Sequence, residues 1–274
     1  MALNRRTDVL ILLALTLAAG CSACRRDEAT TQPARAARAA ASASAPAGGD
    51  VWVVGQPYAC RRARGPITID AADHPDQWAH AMVIKDFKVP GANPPAKSRT
   101  TARMLWDDKN LYLHAVAEDV DLRATLKGVT ARLWTEDVVE LFLKPPGDGG
   151  GYYEFEVNPI NALLDLEIPI GRHTRFESRA QWDSGARSAV AVKGTIERPD
   201  DKDVSFTVVV AIPWTHFNFA PDRPPKPGQT WKFILARCDL SKAYAGGQEL
   251  STCVPLPKPD FHMYKTYPQI RFDK

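Results

Sequence analysis

The chain of 274 residues is 45% hydrophobic, 24% charged and 9% aromatic, which is enough apolar content for a substantial core and too much for a disordered polymer. Its formal net charge is only +3, partly concentrated in Arg25 and Arg26 and around Arg61, Arg62 and Arg64. So weak a bias gives no ground for nucleic acid as a partner.

At the N-terminus, Arg5 and Arg6 form a basic front end, and Val9 to Ala19 then run without a charge. That length suits the apolar core of an export signal and falls short of the roughly 20 residues a membrane-spanning helix needs. The run closes on Leu17-Ala18-Ala19-Gly20-Cys21, which resembles a bacterial lipobox. Residues 1–20 are therefore expected to be a lipoprotein signal peptide and Cys21 the lipid anchor, with about 0.8 kcal/mol of membrane retention per buried methylene. An ordinary secretory signal with an incidental cysteine is the alternative. Ser22 stands where an aspartate would resemble an inner-membrane retention signal, so the resemblance points to a cell-envelope lipoprotein of the outer membrane. Residues 21–56 are rich in Ala, Ser, Thr and Pro and nearly free of large apolar residues before Val51. Such a segment cannot offset its backbone entropy by burial and reads as a tether.

From residue 57 to 274 short strand-like runs alternate with turn residues, with no interior linker. Candidate strands are 67–70, 103–106, 111–117, 137–143, 152–157, 162–168, 189–196, 205–212, 231–237 and 270–272. Asp107-Asp108-Lys109-Asn110 reads as a hairpin turn between two of them. Helical candidates are short, at 76–82 and 213–217. This pattern predicts one all-β domain, an antiparallel β-sandwich. Period-two alternation places Val139, Leu141 and Leu143 in the core, with Val138, Glu140 and Phe142 on the opposite face. By the same rule Tyr153, Phe155 and Val157 face inward. Glu154, Glu156 and Asn158 then form a polar row, either solvated or the floor of a groove.

Five cysteines are present. With Cys21 assigned to lipid, Cys24, Cys60, Cys238 and Cys253 remain in an oxidising compartment. Cys238 and Cys253 close a short loop and are the preferred disulfide, with Cys60 a competitor if the first and last strands are neighbours. No Cys/His cluster supports zinc.

Trp134-Thr135-Glu136-Asp137-Val138-Val139-Glu140-Leu141-Phe142, followed by Tyr152-Tyr153-Glu154-Phe155-Glu156-Val157-Asn158-Pro159, is similar to the central signature of the family 9 carbohydrate-binding modules. Further pieces in matching order are Ile67 to Asp70 with Trp78, Leu105 to Tyr112, Ala211 to Trp214, Pro227-Gly228 with Trp231, Arg237, and Phe261-His262. The resemblance covers nearly everything after residue 57 and implies a DOMON-like β-sandwich of jelly-roll or immunoglobulin-like type. It implies non-catalytic binding of a glycan or oligosaccharide, beside a glycan-degrading enzyme as partner. In that pattern Trp134 aligns with one of two aromatic plates that sandwich a sugar, Phe261 supplies the other, and Glu140 aligns with a carboxylate that accepts from vicinal hydroxyls. Glu156 stands where the best-known sugar binders carry an arginine, which exchanges a donor fork for an acceptor and leaves another glycan, a cation or no sugar open. Trp78, Trp106, Trp214 and Trp231 are expected to be packing residues, and Arg237 a member of a structural ion pair.

Other chemistries have weaker support. Glu154 and Glu156 lie two residues apart on one strand face, a separation compatible with an inverting glycosidase, but alternating strands produce such pairs routinely. No nucleophile elbow or H-E-x-x-H motif accompanies them, so the chain is read as no enzyme. Glu118-Asp119-Val120-Asp121 and Asp107-Asp108 offer hard oxygens to a structural calcium. Met104, His262 and Met263 carry atoms suited to haem, and residue identity alone supports nothing further. An envelope scaffold or protein-binding sandwich without sugar binding is the alternative function.

Overall fold

The computed structural model describes residues 49–147, 149–169, 176–198 and 200–274. The export signal, Cys21, Cys24 and most of the tether lie outside these residues. The folded body takes in the end of the expected tether. Trp52 is buried, packs against Tyr58 and Phe233, and its backbone N–H donates to the Val83 carbonyl.

In chain order the strands are β1 (Tyr58–Arg62), β2 (Thr100–Trp106), β3 (Asn110–Glu118), β4 (Val138–Lys144), β5 (Tyr152–Val157), β6 (Leu163–Ile168), β7 (Arg187–Lys193), β8 (Ser205–Pro213), β9 (Thr230–Leu240), β10 (Gln248–Thr252) and β11 (Gln269–Phe272). Among the described residues the α-helices are two single turns, α1 (Pro75–Trp78) and α2 (Phe176–Arg179). The strand order is β6-β5-β4-β9-β11-β1-β2-β3-β8-β7, with β10 also paired to β9. Among these strands all pairings are antiparallel except those of β1, which runs parallel to β11 through residues 58–60 and to β2 through residues 61–62. β1 thus passes from a first sheet, β6-β5-β4-β9-β11 with β10, to a second, β2-β3-β8-β7, and the antiparallel sandwich expected from the sequence closes toward a barrel.

The interior is filled by the residues that alternation assigned to it, including Val139, Leu141, Leu143, Tyr153, Phe155 and Val157. Trp106, Trp214 and Trp231 are fully buried with Phe272 between them, as their packing role required. The Asp107 turn forms as expected: Asp107 Oδ1 accepts from the N–H groups of Lys109 and Asn110 at 2.7 and 2.8 Å.

Two strands were not legible, and one expected strand is absent. Residues 67–70 join no ladder. Ile67 and Ile69 instead lie half-buried on the outer face of the second sheet, against a cluster containing Leu105, Tyr112 and Val209. β1 and β10 form where the sequence offers little alternation, because strands distant in sequence supply the pairing: β11 and β2 for β1, and the long β9 for β10.

The expected Cys238–Cys253 disulfide is overturned, since Cys60, Cys238 and Cys253 are all free thiols. In the β9–β10 register Cys238 lies opposite Leu250, whereas the Cys253 N–H donates to the Leu235 carbonyl. The two thiols are therefore offset by three residues, roughly 10 Å along β9, and an odd offset puts them on opposite faces of the sheet. A short loop in sequence does not bring two Cβ atoms together when the register separates them.

Candidate functional site

The outer face of the first sheet follows from the same alternation. Glu140 on β4 is registered with Glu156 on β5, and Phe142 with Glu154. On β9, Ala236 and Cys238 continue this face, and Leu164 and Leu166 do so on β6. An outer face of a sandwich is ordinarily wet, yet every residue of β5 is buried. The cover is the C-terminal segment. Phe261, His262 and Tyr267 pack on the Phe142 ring, and Tyr264 stacks on Tyr152 with centroids 5.5 Å apart.

Between this cover and the sheet a cavity of about 540 Å³ remains. Glu140, Glu154, Leu166, Cys238 and Leu250 form its floor, and Trp134, Phe176, Phe261 and His262 line it from the surrounding segments. Of the four expected ligand residues, three therefore meet: Trp134, Glu140 and Phe261. Glu156 lies opposite Glu140 in the β4–β5 register, is no part of the cavity wall and has no exposed surface. Trp134 is half-buried, its ring edge-on to Phe176 at 5.2 Å, whereas Phe261 is only 8% exposed and shows the cavity a fraction of its ring.

Trp134 sits on a 3-10 turn, Leu133–Thr135, held by the two acids that follow it. Glu136 accepts from the N–H groups of Thr125 and Leu126, at 2.8 and 2.9 Å for the closer oxygen in each case. Asp137 accepts from the Arg123 N–H at 2.5 Å and from the Leu240 N–H at 2.6 Å. Asn158 completes the clasp, donating to the Leu126 carbonyl at 3.0 Å and accepting from the Ala162 N–H at 2.8 Å. The Trp134-to-Asn158 motif is thus a device that fixes an aromatic side chain at the rim of the cavity.

The carboxyl groups of Glu140, Glu154 and Glu156 bring oxygens within 4.8 Å of one another. Burial pushes Glu140 up to about 8, with Glu154 adding to the shift and a hydrogen bond from Cys238 opposing it. Burial likewise raises Glu156 well above its ordinary value, reinforced by Glu140 and Glu154. The Glu154 carboxyl, hydrogen-bonded to Glu156, adds to this rise, and the Trp134 N–H facing the group opposes it. The Cys238 thiol donates to Glu140 Oε1 at 3.2 Å, and burial, followed by the charge of Glu140, raises its own pKa. Glu154 faces His262, whose Nδ1 is 3.9 Å from its Oε2 and 2.8 Å from the Tyr152 hydroxyl.

These distances do not fit the inverting-glycosidase reading of Glu154 and Glu156. Oxygens under 5 Å apart leave no room for the water such enzymes place between carboxyls about 6.5–9.5 Å apart. The haem atoms are not gathered, since Met104 is sealed in the core while His262 lines the cavity. The acids offered to calcium by sequence have other partners: Glu118 pairs with Arg99, Asp119 with Arg237, Asp121 with Arg123 and Asp108 with Arg62. Two groups, Asp119/Asp137/Asp239 and Glu140/Glu154/Glu156, still bring oxygens close enough to share a metal ion. The sequence reading missed Phe176 and Leu250 altogether, and no local signal would have found them. The sequence places Glu154 in a polar row, either solvated or the floor of a groove, and His262 beside Phe261 in the family-like pattern, with neither among the expected ligand residues.

Fold and site together define a β-sandwich binding module with an aromatic-rimmed, acid-floored cavity on one outer face. Residues 69–254 match the model of the carbohydrate family 9 binding domain-like family, and the chain belongs to that family. A candidate carbohydrate-binding protein from Bacteroides uniformis has a similar fold, with a TM-score of 0.57 at 17% identity over 82% of this chain and 99% of that one. A family 9 carbohydrate-binding module from Caldicellulosiruptor kristjanssonii, solved with cellotriose, superposes with a TM-score of 0.50 at 14% identity over 78% of this chain and 93% of that one. In sequence, 115 residues are 29% identical to the exoglucanase XynX of Acetivibrio thermocellus, covering 42% of this chain and 9% of that much longer protein.

Proposed function

We propose that the module binds carbohydrate without catalysis, holding a sugar ring against Trp134 while Glu140 accepts hydrogen bonds from its hydroxyls. The observation that carries this reading is the cavity itself, where a half-exposed, rigidly clasped tryptophan stands over a buried carboxylate. Axial C–H groups of a pyranose pack on an aromatic plane, and a buried carboxyl that keeps its proton both accepts from and donates to hydroxyls. Phe261 lends apolar surface to the same ring, and Glu154 adds to the proton affinity that burial gives Glu140. Family membership and the cellotriose bound by the Caldicellulosiruptor relative support a glycan as partner.

The match to part of an exoglucanase supports action beside glycan-degrading enzymes. The basic front end, uncharged run and Cys21 support a lipid-anchored module at the bacterial cell envelope, tethered by the segment that follows the cysteine. A glycan array probed with the full chain, with and without calcium, tests the binding. Saturable binding that the Trp134→Ala variant loses, with its circular-dichroism spectrum retained, is the expected result. No response to any glycan overturns the reading and leaves an envelope scaffold.

A further inference from the structure

The aromatic wall of the cavity gathers positive charge. Phe176, whose ring meets Trp134 edge-on, is approached by two guanidinium groups, those of Arg132 and Arg179, each 5.9 Å from its ring centroid. Arg132 is exposed and immediately precedes the 3-10 turn that bears Trp134. Arg179 is half-buried, closes α2 and lines the cavity. Neither has a carboxylate partner among the described residues, and the Arg179 Nε–H is sealed from solvent without an acceptor. Lys258, on the same wall, is instead held by Asp260 at 3.4 Å. Two like charges brought to one ring repel, and an anion within reach of both relieves them. An aromatic ring offers a guanidinium no oxygen, so its N–H donors still call for one. The floor does not cancel this charge. Burial pushes Glu140 up to about 8 and raises Glu156 further above its ordinary range, so both keep their protons at neutral pH, and Glu154 faces His262 at 3.9 Å.

We infer that the cavity takes an acidic sugar, a hexuronic acid or a glycan that carries one, with its ring against Trp134 and its carboxylate on Arg179, within the field of Arg132. This names the ligand class of the carbohydrate-binding reading and rests on it. A carboxylate is planar and offers two oxygens to a guanidinium fork, a pairing that is both charge-assisted and directional. Arg179 meets it from the wall, which leaves the ring hydroxyls to the carboxyls of the floor. A neutral hexose offers the arginine only hydroxyl oxygens, without the second charge. A sulfated sugar carries the charge on a tetrahedral group that fits the planar fork less closely.

Calorimetric titration of the full chain at neutral pH with glucuronic acid, its methyl ester, glucose and glucose 6-sulfate tests the assignment. Glucuronic acid is expected to bind on the order of ten-fold more tightly than glucose, and the uncharged methyl ester no better than glucose. That comparison needs no variant. Arg179→Gln should lose the preference with its circular-dichroism spectrum retained, and Arg132→Gln should reduce it, which serves as the second variant if Arg179→Gln does not fold. Equal or tighter binding of glucose or of the ester overturns the acidic-sugar assignment and leaves carbohydrate binding standing. So does a glycan-array response confined to neutral glycans. A preference that survives Arg179→Gln overturns the role given to that arginine, and tighter binding of glucose 6-sulfate overturns the carboxylate in favour of a sulfate. If none of the sugars binds and the glycan array is silent too, both readings fall.

Discussion

Two clusters of three carboxylates lie at opposite faces of the first sheet, and they resolve the same electrostatic problem differently. Asp119, Asp137 and Asp239 are 1%, 0% and 3% exposed, and their oxygens lie within the same 4.8 Å as those of Glu140, Glu154 and Glu156. The aspartates have a counter-ion within the fold. The Arg237 side chain, itself fully buried, reaches Asp119 at 2.8 Å and Asp239 at 3.1 Å, and backbone N–H groups donate to Asp119 and Asp137. In the glutamate group His262 stands 3.9 Å from Glu154 and the Cys238 thiol donates to Glu140, and both of these glutamates border a cavity. Carboxyls with a buried counter-ion hold a fold together, whereas carboxyls that border a cavity stay within reach of an arriving molecule.

The comparison breaks most visibly at Arg237. In Arg237→Met the buried aspartates lose their cation, and the expected loss of stability is about 3–5 kcal/mol, read from denaturant unfolding. A loss below about 1 kcal/mol would show that the aspartates are held by their backbone donors alone. On the glutamate side, Trp134→Ala should weaken sugar binding by roughly 2 kcal/mol, about thirty-fold, with little change in the unfolding midpoint. A large drop in that midpoint would instead make Trp134 a packing residue of the rim.

The glutamate cluster also has a pH signature. Glu140 rises on folding from an ordinary 4.5 to about 8, so the native state keeps a proton that the unfolded chain has lost. Its contribution to stability is complete below about pH 4.5 and fades as pH rises through about 8, at most about 1.4 kcal/mol per pH unit. Thermal unfolding of the wild type should therefore weaken across that window more steeply than that of Glu140→Gln, and parallel profiles would remove the burial argument. The smallest expected effect concerns the thiols. Dithiothreitol should leave the unfolding temperature unchanged, and alkylation of the unfolded chain without reductant should label Cys60, Cys238 and Cys253. A real Cys238–Cys253 bridge would instead lose roughly 2–4 kcal/mol on reduction.

Much of the strand plan was legible because it depends on neighbours in sequence. Asp107 to Asn110 makes its turn with its own backbone, and the alternation in β4 and β5 sorts core from outer face correctly. The expected strand at 67–70 fails for a related reason: its alternating isoleucines are satisfied by lying on a sheet as well as by joining one. At the site, Trp134, Glu140 and Phe261 were found through the resemblance, whereas Phe176 and Leu250 carry no pattern that marks a ligand wall.

The amino-acid sequence by itself determined the all-β class, the inward set of Val139, Leu141, Tyr153 and Phe155, and the joining of Trp134 to an acid-bearing strand. All of these follow from periodicity two and from contacts a few residues apart. Only the tertiary structure decided that the polar row of β5 is buried. Its cover, Phe261 to Tyr267, arrives from more than a hundred residues downstream and leaves no trace in the local pattern. The fate of the cysteines was likewise settled by the register of β9 against β10, because a shift of one residue turns a side chain to the other face of a sheet.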